Sequence, residues 1–195
     1  MRRLRQWISS LLLALLTAGG AIADTAAPPI FRSNSGQFTL LEPVRPAPDV
    51  SVRALDGANT RIGQFHGKVV IVNFWATWCG PCVYEMPSLD RLAARNDDRL
   101  KILAVSIDRE GAAAVARFVT EHDLTHLAVY IDPDQRLGSL TPERAPPGTL
   151  PLWGLPITYV IDREGRITGF ITGAVNWDST EAQRFLDYFI SDVVP

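Results

Sequence analysis

A continuous apolar run lies at Lys68–Trp75, where the letters KVVIVNFW place β-branched and aromatic residues at nearly every position. Such a run is typical of a strand that is buried on both faces of a sheet. Apolar residues at helical spacing follow in Pro81–Ala94 and predict a helix with one buried stripe. The alternation repeats as strand Leu100–Ile107 and helix Ala112–His122, and it predicts parallel strands joined by helices.

The second half of the chain carries shorter elements. Leu127–Ile131 predicts a strand and Gln135–Leu140 a short helix. The proline-rich stretch Thr141–Leu150 predicts a loop, which is called the insertion loop below. Two further strands, Thr158–Ile161 and Arg166–Thr172, flank a turn that ends in glycine and predict a hairpin.

Turn and capping signals delimit the remaining elements. Ser51–Leu55 and Thr60–Ile62 flank an Asp-Gly pair, which indicates a β-hairpin. Asp178 is the predicted N-cap of a last helix that ends at about Ile190, with Glu181 as its capping-box partner. Together these elements predict an α/β fold in which a central mixed sheet is flanked by helices on both faces.

The N-terminal region divides into an export signal and a lead-in. Residues 1–23 contain three arginines, then the apolar run Ile8–Ala18, then small residues, which is the order of a secretory signal peptide. The apolar run is shorter than the roughly 20 residues of a membrane-spanning helix, and an uncleaved anchor is the alternative. Residues 24–48 predict an irregular lead-in with one short strand, Phe38–Leu41. The folded domain is then residues 49–193, and its expected location is the periplasm.

Composition and charge exclude several classes of partner. Of the 195 residues, 47% are hydrophobic and 21% are charged, an ordinary balance for a globular domain. The formal net charge is −2, and loss of the arginine-rich signal leaves the exported chain more acidic. We therefore expect neither nucleic acid nor an anionic membrane surface as a partner.

The two cysteines of the chain lie in one sequence, Cys79-Gly80-Pro81-Cys82. A disulfide that closes so small a ring constrains the unfolded chain little, so a stabilising role explains the pair poorly. The pair follows a buried strand and opens a helix, which is the position of a redox site. The helix N-terminus favours the thiolate and lowers the expected pKa of Cys79. Cys82 lies one turn deeper, so we expect Cys79 to attack a substrate disulfide and Cys82 to resolve the mixed disulfide.

A zinc site is one alternative that involves a metal. His122 and His126 have the mutual spacing of zinc ligands, but they lie much farther from Cys82 than the ligands of a zinc finger do. We interpret both histidines as surface residues at the end of a helix. We expect no metal, and no cofactor other than a redox-active disulfide.

Several motifs occur together around and beyond the cysteine pair. They are the segment Gly67–Cys82, then Glu85-Met86-Pro87, Asp132-Pro133-Asp134, Gly154-Leu155-Pro156 and Ile161-Asp162-Arg163-Glu164-Gly165. In this combination the chain resembles the thioredoxin superfamily, and more narrowly its periplasmic TlpA/ResA-like branch. The match covers roughly residues 48–190, most of the exported chain.

The resemblance implies a thiol–disulfide oxidoreductase and gives roles to further residues. Pro156 matches a cis-proline that packs beside the cysteines and exposes the Leu155 backbone to an extended substrate segment. Glu85 matches a carboxylate that handles the proton of Cys82. Asn73 departs from the thioredoxins proper, which carry a buried aspartate there, so Glu85 becomes the candidate proton acceptor. Without the resemblance, Pro156 would be an ordinary turn proline and Glu85 a solvated helix charge.

The expected substrate surface surrounds Cys79. It consists of Trp78, Gly80, Pro81 and Leu155. The other tryptophans near these motifs are expected to be packing residues, namely Trp75, Trp153 and Trp177. The insertion loop leads towards Pro156, so we expect it near the substrate face, where loops often carry specificity. A tolerated surface insertion is the alternative.

The Gly-Pro dipeptide between the cysteines is that of thioredoxin, so the resemblance favours a reductant of exported protein disulfides. A reductant in an oxidising periplasm needs an electron donor, for which we expect a membrane-embedded thiol reductase; the chain itself is expected to be a monomer. The clients that the family implies include apocytochrome c and copper-site cysteines. Two alternatives stay open: a Cu(I) carrier, because thiolates suit Cu(I), and a disulfide oxidase or isomerase.

Overall fold

Strand β4, Val69–Trp75, lies at the centre of the sheet and is buried along its whole length, as its unbroken apolar run predicts. It pairs in parallel with β5, Leu100–Ser106, and antiparallel with β9, Ile157–Ile161. The computed structural model describes residues 31–32 and 36–191, so the predicted signal segment 1–23 lies outside the described residues. Within the described part, no helix combines the length and hydrophobicity needed to cross a bilayer.

Two strand–helix–strand units follow one another from β4, as predicted. Helix α1 spans Gly80–Ala94 and leads to β5; helix α2 spans Ala112–Glu121 and leads to β6, Val129–Ile131. Strands β5 and β6 pair in parallel, as β4 and β5 do. A parallel pair places the carboxyl ends of its strands at one edge of the sheet, and α1 with its cysteines begins at that edge.

Four more strands belong to the same sheet, namely β1 (Gln37–Pro46), β2 (Ser51–Ala54), β3 (Asn59–Arg61) and β10 (Arg166–Thr172). Across the described residues, eight strands form one mixed sheet in the order β1-β10-β9-β4-β5-β6-β2-β3. The predicted hairpins are present as β2 and β3, Ser51–Ala54 and Asn59–Arg61, and as β9 and β10, the latter spanning Arg166–Thr172. The mixed α/β fold class is therefore confirmed.

The lead-in is more regular than its prolines suggest. The predicted short strand Phe38–Leu41 is part of a longer strand β1, Gln37–Pro46, which pairs antiparallel with β10. Strand β1 is the edge of the sheet, where a residue without a backbone N–H is tolerated. The register shifts between Leu40 and Arg45, a stretch that contains Pro43, whereas Pro46 pairs regularly with Arg166.

The predicted short helix at Gln135–Leu140 is wrong. Strand β7, Gly138–Ser139, occupies part of it and pairs in parallel with β8, Leu150–Pro151. The physical reason is the buried Asp132 carboxylate, which accepts hydrogen bonds from the N–H groups of three successive residues, Arg136, Leu137 and Gly138. A side chain that captures consecutive amides competes with the helical hydrogen bonds. The strands β7 and β8 close the base of the insertion loop, which contains the short 3-10 helix Pro142–Arg144.

The N-cap predicted for the last helix is also wrong. Helix α3 spans Thr180–Ile190, and Ser179 is its cap, because the Ser179 hydroxyl accepts from the Ala182 N–H at 3.2 Å. Asp178 instead pairs with Arg91 of α1, with 2.6 Å between the charged atoms. The Asp178 carboxylate is therefore paired with the Arg91 guanidinium of α1 and does not cap α3.

Helices and the insertion loop meet the sheet on different faces. Strand pairing places Asn73 of β4 and Phe38 of β1 on the same face of the sheet. On this face Asn73 donates a hydrogen bond to Glu85 of α1, and Phe38 contacts Phe185 of α3. On the other face, Gly138 at the base of the insertion loop lies against the ring of Phe74; a Cβ there would be 2.5 Å from Cε1 of that ring. Strand β4 is thus in contact with helix α1 on one face and with the base of the insertion loop on the other.

Candidate active site

Cys79 and Cys82 form a disulfide at the start of α1, with their Cα atoms 5.2 Å apart. Cys79 is the N-cap of the helix, and its Sγ accepts from the Cys82 N–H at 3.3 Å. Pro81 lies in the first turn, where its missing N–H removes no helical hydrogen bond. The helix N-terminus therefore directs backbone N–H groups and the positive end of its dipole at the Cys79 sulfur.

The two cysteines differ in how completely they are buried. Cys79 is 6% exposed, whereas Cys82 is completely buried. Gly80 and Pro81 between them are exposed, and so is Trp78 before them. The less completely buried cysteine is thus the one that the sequence analysis expects to attack.

The loop that leads into Cys79 is fixed by Asp108, a buried carboxylate that sequence reasoning missed. Asp108 accepts from the N–H of Thr77 at 2.9 Å and from its hydroxyl at 2.7 Å. The Ser106 hydroxyl donates to the same carboxylate at 2.7 Å. Asp108 follows β5, the strand that pairs with β4, and so the carboxyl end of one strand holds the loop that follows the other.

Glu85 is fully buried, so the alternative that it is a solvated helix charge is wrong. Its Oε1 accepts from the indole N–H of Trp177 at 2.8 Å and from the Val175 N–H at 3.2 Å. Its Oε2 accepts from the Asn73 amide at 3.1 Å. Glu85 lies three residues after Cys82, and helical side chains lean towards the N-terminus, so the carboxyl and the buried sulfur share one face of α1.

Burial raises the pKa of Glu85 from 4.5 to about 7, because the charged carboxylate loses its hydration. The hydrogen bonds from Asn73, Trp177 and Val175 act in the opposite direction and keep the pKa from rising further. A carboxyl with a pKa of about 7 can both accept and release a proton near neutral pH.

Asn73 connects Glu85 to the neighbouring strand. Its amide also donates to the Thr158 hydroxyl of β9 at 2.8 Å, while its own Oδ1 has no hydrogen-bond partner in the described part of the chain. The residue that departs from the thioredoxin pattern is thus a neutral donor to the carboxylate. A strand aspartate at this position would bring a second negative charge next to Glu85.

Pro156 follows a cis peptide bond with Leu155 and is buried, whereas Leu155 is half-buried. Its carbonyl accepts from the Gly173 N–H at 3.0 Å. Because Ile157 pairs antiparallel with Phe74, Pro156 lies level with Trp75, the last residue before the active-site loop. Strand pairing therefore brings the loop of Pro156 to the edge of the sheet where the cysteine pair lies.

The tryptophans divide into buried and exposed residues. Trp75 and Trp177 are completely buried, as packing residues should be, whereas Trp78 is 66% exposed. The prediction that Trp153 is a packing residue is wrong, because Trp153 is 60% exposed. One side of its ring contacts Phe170, with 4.8 Å between centroids, and the rest of the ring faces solvent close in sequence to Pro156.

The three histidines are exposed, and His122 is the C-cap of α2, in agreement with the prediction of a surface residue at the end of a helix. His122 also packs on Phe118, with 4.1 Å between ring centroids. Among the residues that the structure describes, no three His, Cys, Asp or Glu side chains come together as metal ligands would.

The chain matches the Redoxin family over residues 43–186. It is 35% identical over 130 residues to the thiol-disulfide oxidoreductase ResA of Geobacillus thermodenitrificans, which covers 66% of this chain and 68% of that protein. The ResA of Bacillus cereus is 29% identical over 184 residues, with 94% of both chains covered.

A solved structure with a similar fold is that of a secreted thiol-disulfide isomerase from Corynebacterium glutamicum. The TM-score is 0.60 at 23% identity, over 85% of this chain and 96% of the other. At this identity the likeness concerns the fold alone, and it agrees with the thioredoxin-like arrangement of strands and helices around the cysteine pair.

Proposed function

This chain belongs to the Redoxin family and is a thiol–disulfide oxidoreductase of the ResA-like type, and we propose that it reduces disulfides of exported proteins through Cys79 and Cys82. The observation that carries the proposal is the asymmetry of the pair. The less completely buried cysteine caps the helix, and the fully buried cysteine lies one turn before a buried carboxyl with a pKa of about 7.

The proposed reaction begins from the dithiol form. The Cys79 thiolate attacks one sulfur of a client disulfide; a mixed disulfide forms, and the other client sulfur leaves and takes up a proton. Cys82 then attacks the Cys79 sulfur, which releases the second client thiol and forms the Cys79–Cys82 disulfide. The client gains two electrons and two protons, and the chain is left in the oxidised state of this structure.

Glu85 is the proposed proton acceptor of the second step. Cys82 is completely buried and attacks only as a thiolate, so its proton needs a nearby acceptor that solvent does not supply. The buried Glu85 carboxylate lies on the same face of α1, and its pKa of about 7 matches the working pH that general base catalysis favours.

The direction of electron flow is proposed from the dipeptide between the cysteines. Gly-Pro is the dipeptide of thioredoxin, whose potential is about −270 mV, whereas the strong oxidant DsbA lies at about −120 mV. A reductant outside the cytoplasm must be re-reduced after each turnover, and a membrane-embedded thiol reductase is the proposed donor of the two electrons. Exported proteins whose cysteines must be reduced before haem or copper is attached are the proposed clients.

Mixed-disulfide trapping tests the proposal. The Cys82→Ala variant keeps the attacking Cys79 but cannot resolve, so it should accumulate covalent adducts with client proteins on non-reducing gels. The Cys79→Ala variant is the matched control, because it removes one cysteine of the same pair and leaves only the buried sulfur. It should trap little.

Two outcomes would contradict the proposal. Equal trapping by both variants would refute the assignment of attacking and resolving cysteines. Adducts of the Cys82→Ala variant that contain only proteins without an export signal would refute exported clients as the substrate.

A further inference from the structure

A cavity of about 500 Å³ lies beside the insertion loop, apart from the cysteine pair and Glu85. One wall is the turn after β5, which contributes Arg109. The other is the start of the insertion loop, which contributes Thr141 and Arg144, and Gln135 and Asp134 lie between them. The cavity is therefore built from segments that follow the carboxyl ends of β5 and β6.

The insertion loop that forms this wall is tied to the domain at several points. Its base is the β7–β8 pair, and Gly138 of that base lies against Phe74 of β4. The Gln135 side chain accepts from the Leu140 N–H at 2.9 Å, and the Ser139 hydroxyl accepts from the Thr141 N–H at 3.1 Å. These contacts fix the cavity wall in the fold, which a merely tolerated surface insertion does not require.

The side chains of Arg109 and Arg144 form no ion pair or hydrogen bond with any residue that the structure describes, whereas other surface arginines, such as Arg91, do pair with carboxylates. Asp134 is the one acidic residue among the described residues that line the cavity, against two arginines. A planar guanidinium with free N–H groups matches a carboxylate in charge and in geometry.

The position of Arg109 links the cavity to the redox site. Arg109 directly follows Asp108, whose carboxylate holds Thr77 through two hydrogen bonds, and Thr77 is two residues before Cys79. Arg109 therefore lies at the same edge of the sheet as the loop that leads into Cys79.

We propose that the cavity between Arg109 and Arg144 is a client-recognition subsite that binds the carboxylates of an acidic segment lying near the client's disulfide. The proposal rests on the proposed function, because it assumes that the client is a protein disulfide. Within that function it identifies the class of substrate: clients with Asp or Glu residues close to the cysteines are reduced in preference to clients without them.

Paired peptide substrates test the subsite. Each peptide contains one disulfide; in one series an acidic tract lies at increasing distances on either side of the cysteines, and in the other Gln and Asn replace its Glu and Asp. The rate constant for oxidation of the fully reduced protein by each peptide is measured at low and high salt. At the best spacing we expect the acidic peptide to react about threefold to tenfold faster, and salt to reduce this preference.

The double variant Arg109→Gln/Arg144→Gln should lose the preference and keep the rate with the neutral peptide. The charge-matched control is Arg117→Gln/Arg184→Gln, which alters two exposed arginines on α2 and α3 and should keep the preference. An equal loss in both double variants would mean that net charge alone acts, and would overturn the subsite.

Two further outcomes separate the subsite from the underlying function. If the wild type reduces all peptides at equal rates, the subsite is wrong while the oxidoreductase function stands; if it reduces none, the proposed function itself fails. Inorganic phosphate is the competing probe. Tight phosphate binding that depends on Arg109 and Arg144, without any preference between peptides, would assign the cavity to a free anion and overturn a client subsite.

Discussion

Replacing Glu85 by Gln removes the charge of the buried carboxyl while keeping its size. The new amide can still accept from Trp177 and Val175 through its oxygen. Its NH₂ group would face the Asn73 amide, but Asn73 can rotate its own amide by half a turn. The Asn73 Oδ1, which has no partner among the described residues of the wild type, then accepts from the new side-chain amide at position 85 and from the Thr158 hydroxyl. The Glu85→Gln substitution therefore tests the charge rather than the packing.

The magnitude follows from the pKa of Glu85. A rise from 4.5 to about 7 corresponds to about 3 kcal/mol of preference for the neutral carboxyl, at about 1.4 kcal/mol per pKa unit. Below pH 4.5 the group is protonated in both the folded and the unfolded chain. Between pH 4.5 and 7 only the unfolded chain ionises it, so the free energy of unfolding falls as the pH rises, and above pH 7 the loss is complete.

Urea unfolding of the oxidised protein at a series of pH values measures this effect. Near pH 4.5 the Glu85→Gln variant and the wild type should have similar free energies of unfolding. Above pH 7 the variant should be the more stable by up to about 3 kcal/mol. Glu121→Gln, at the exposed end of α2, is the matched control, and its profile should run parallel to that of the wild type. A Glu85→Gln profile that also runs parallel to the wild type would refute a raised pKa.

The same substitution should impair catalysis while it stabilises the fold. Without a proton acceptor for Cys82, resolution of the mixed disulfide should slow by about 100-fold at neutral pH, since general base catalysis contributes about 10²–10⁴-fold. Rapid-mixing kinetics with a chromogenic disulfide separate the attack of Cys79, which should be little changed, from resolution. Resolution at the wild-type rate would contradict the role of Glu85.

Two more substitutions test neighbouring contacts. Trp177→Phe removes an N–H that lowers the pKa of Glu85, so the pH dependence of resolution should move to higher pH. Trp75→Phe is the control, because it alters a buried indole whose N–H has no partner in the described part, and it should leave this pH dependence unchanged. Equal shifts in both variants would attribute the effect to packing. Gly138→Ala places a Cβ 2.5 Å from the Phe74 ring and should lower the free energy of unfolding by about 1–3 kcal/mol in urea titrations. Gly63→Ala, with nothing within 4 Å of the added Cβ, is its control, and a Gly138→Ala variant as stable as the control would contradict the tight contact.

Much of the fold could be predicted from local patterns. The apolar run of β4, the helical spacing of α1 and the Asp-Gly turn between β2 and β3 each depend on neighbouring residues alone, and the structure confirms them. The errors lie where a distant partner decides. Asp178 loses its capping role to Arg91 of another helix, and the amides captured by Asp132 replace the short helix predicted at Gln135–Leu140.

The candidate site divides in the same way. The placement of Cys79 and Cys82 at a helix start follows from their position after a buried strand, so the sequence suffices for it. The environment of Glu85 depends on Trp177 and Val175, about 90 residues farther along the chain, and on a neighbouring strand. No local signal identifies these partners, and Trp177 is predicted only as a packing residue. Likewise, nothing in the sequence shows that Asp108 holds the Thr77 loop.

The reduction potential of the Cys79–Cys82 couple tests the central claim most directly. The protein is equilibrated with redox buffers of known potential, and the fraction in the dithiol form is measured by thiol alkylation. If the chain is a reductant with a thioredoxin-like Gly-Pro dipeptide, its potential should be about −270 mV, the value of thioredoxin. A value close to about −120 mV, the potential of DsbA, would make the chain an oxidant and contradict the proposed direction of electron flow.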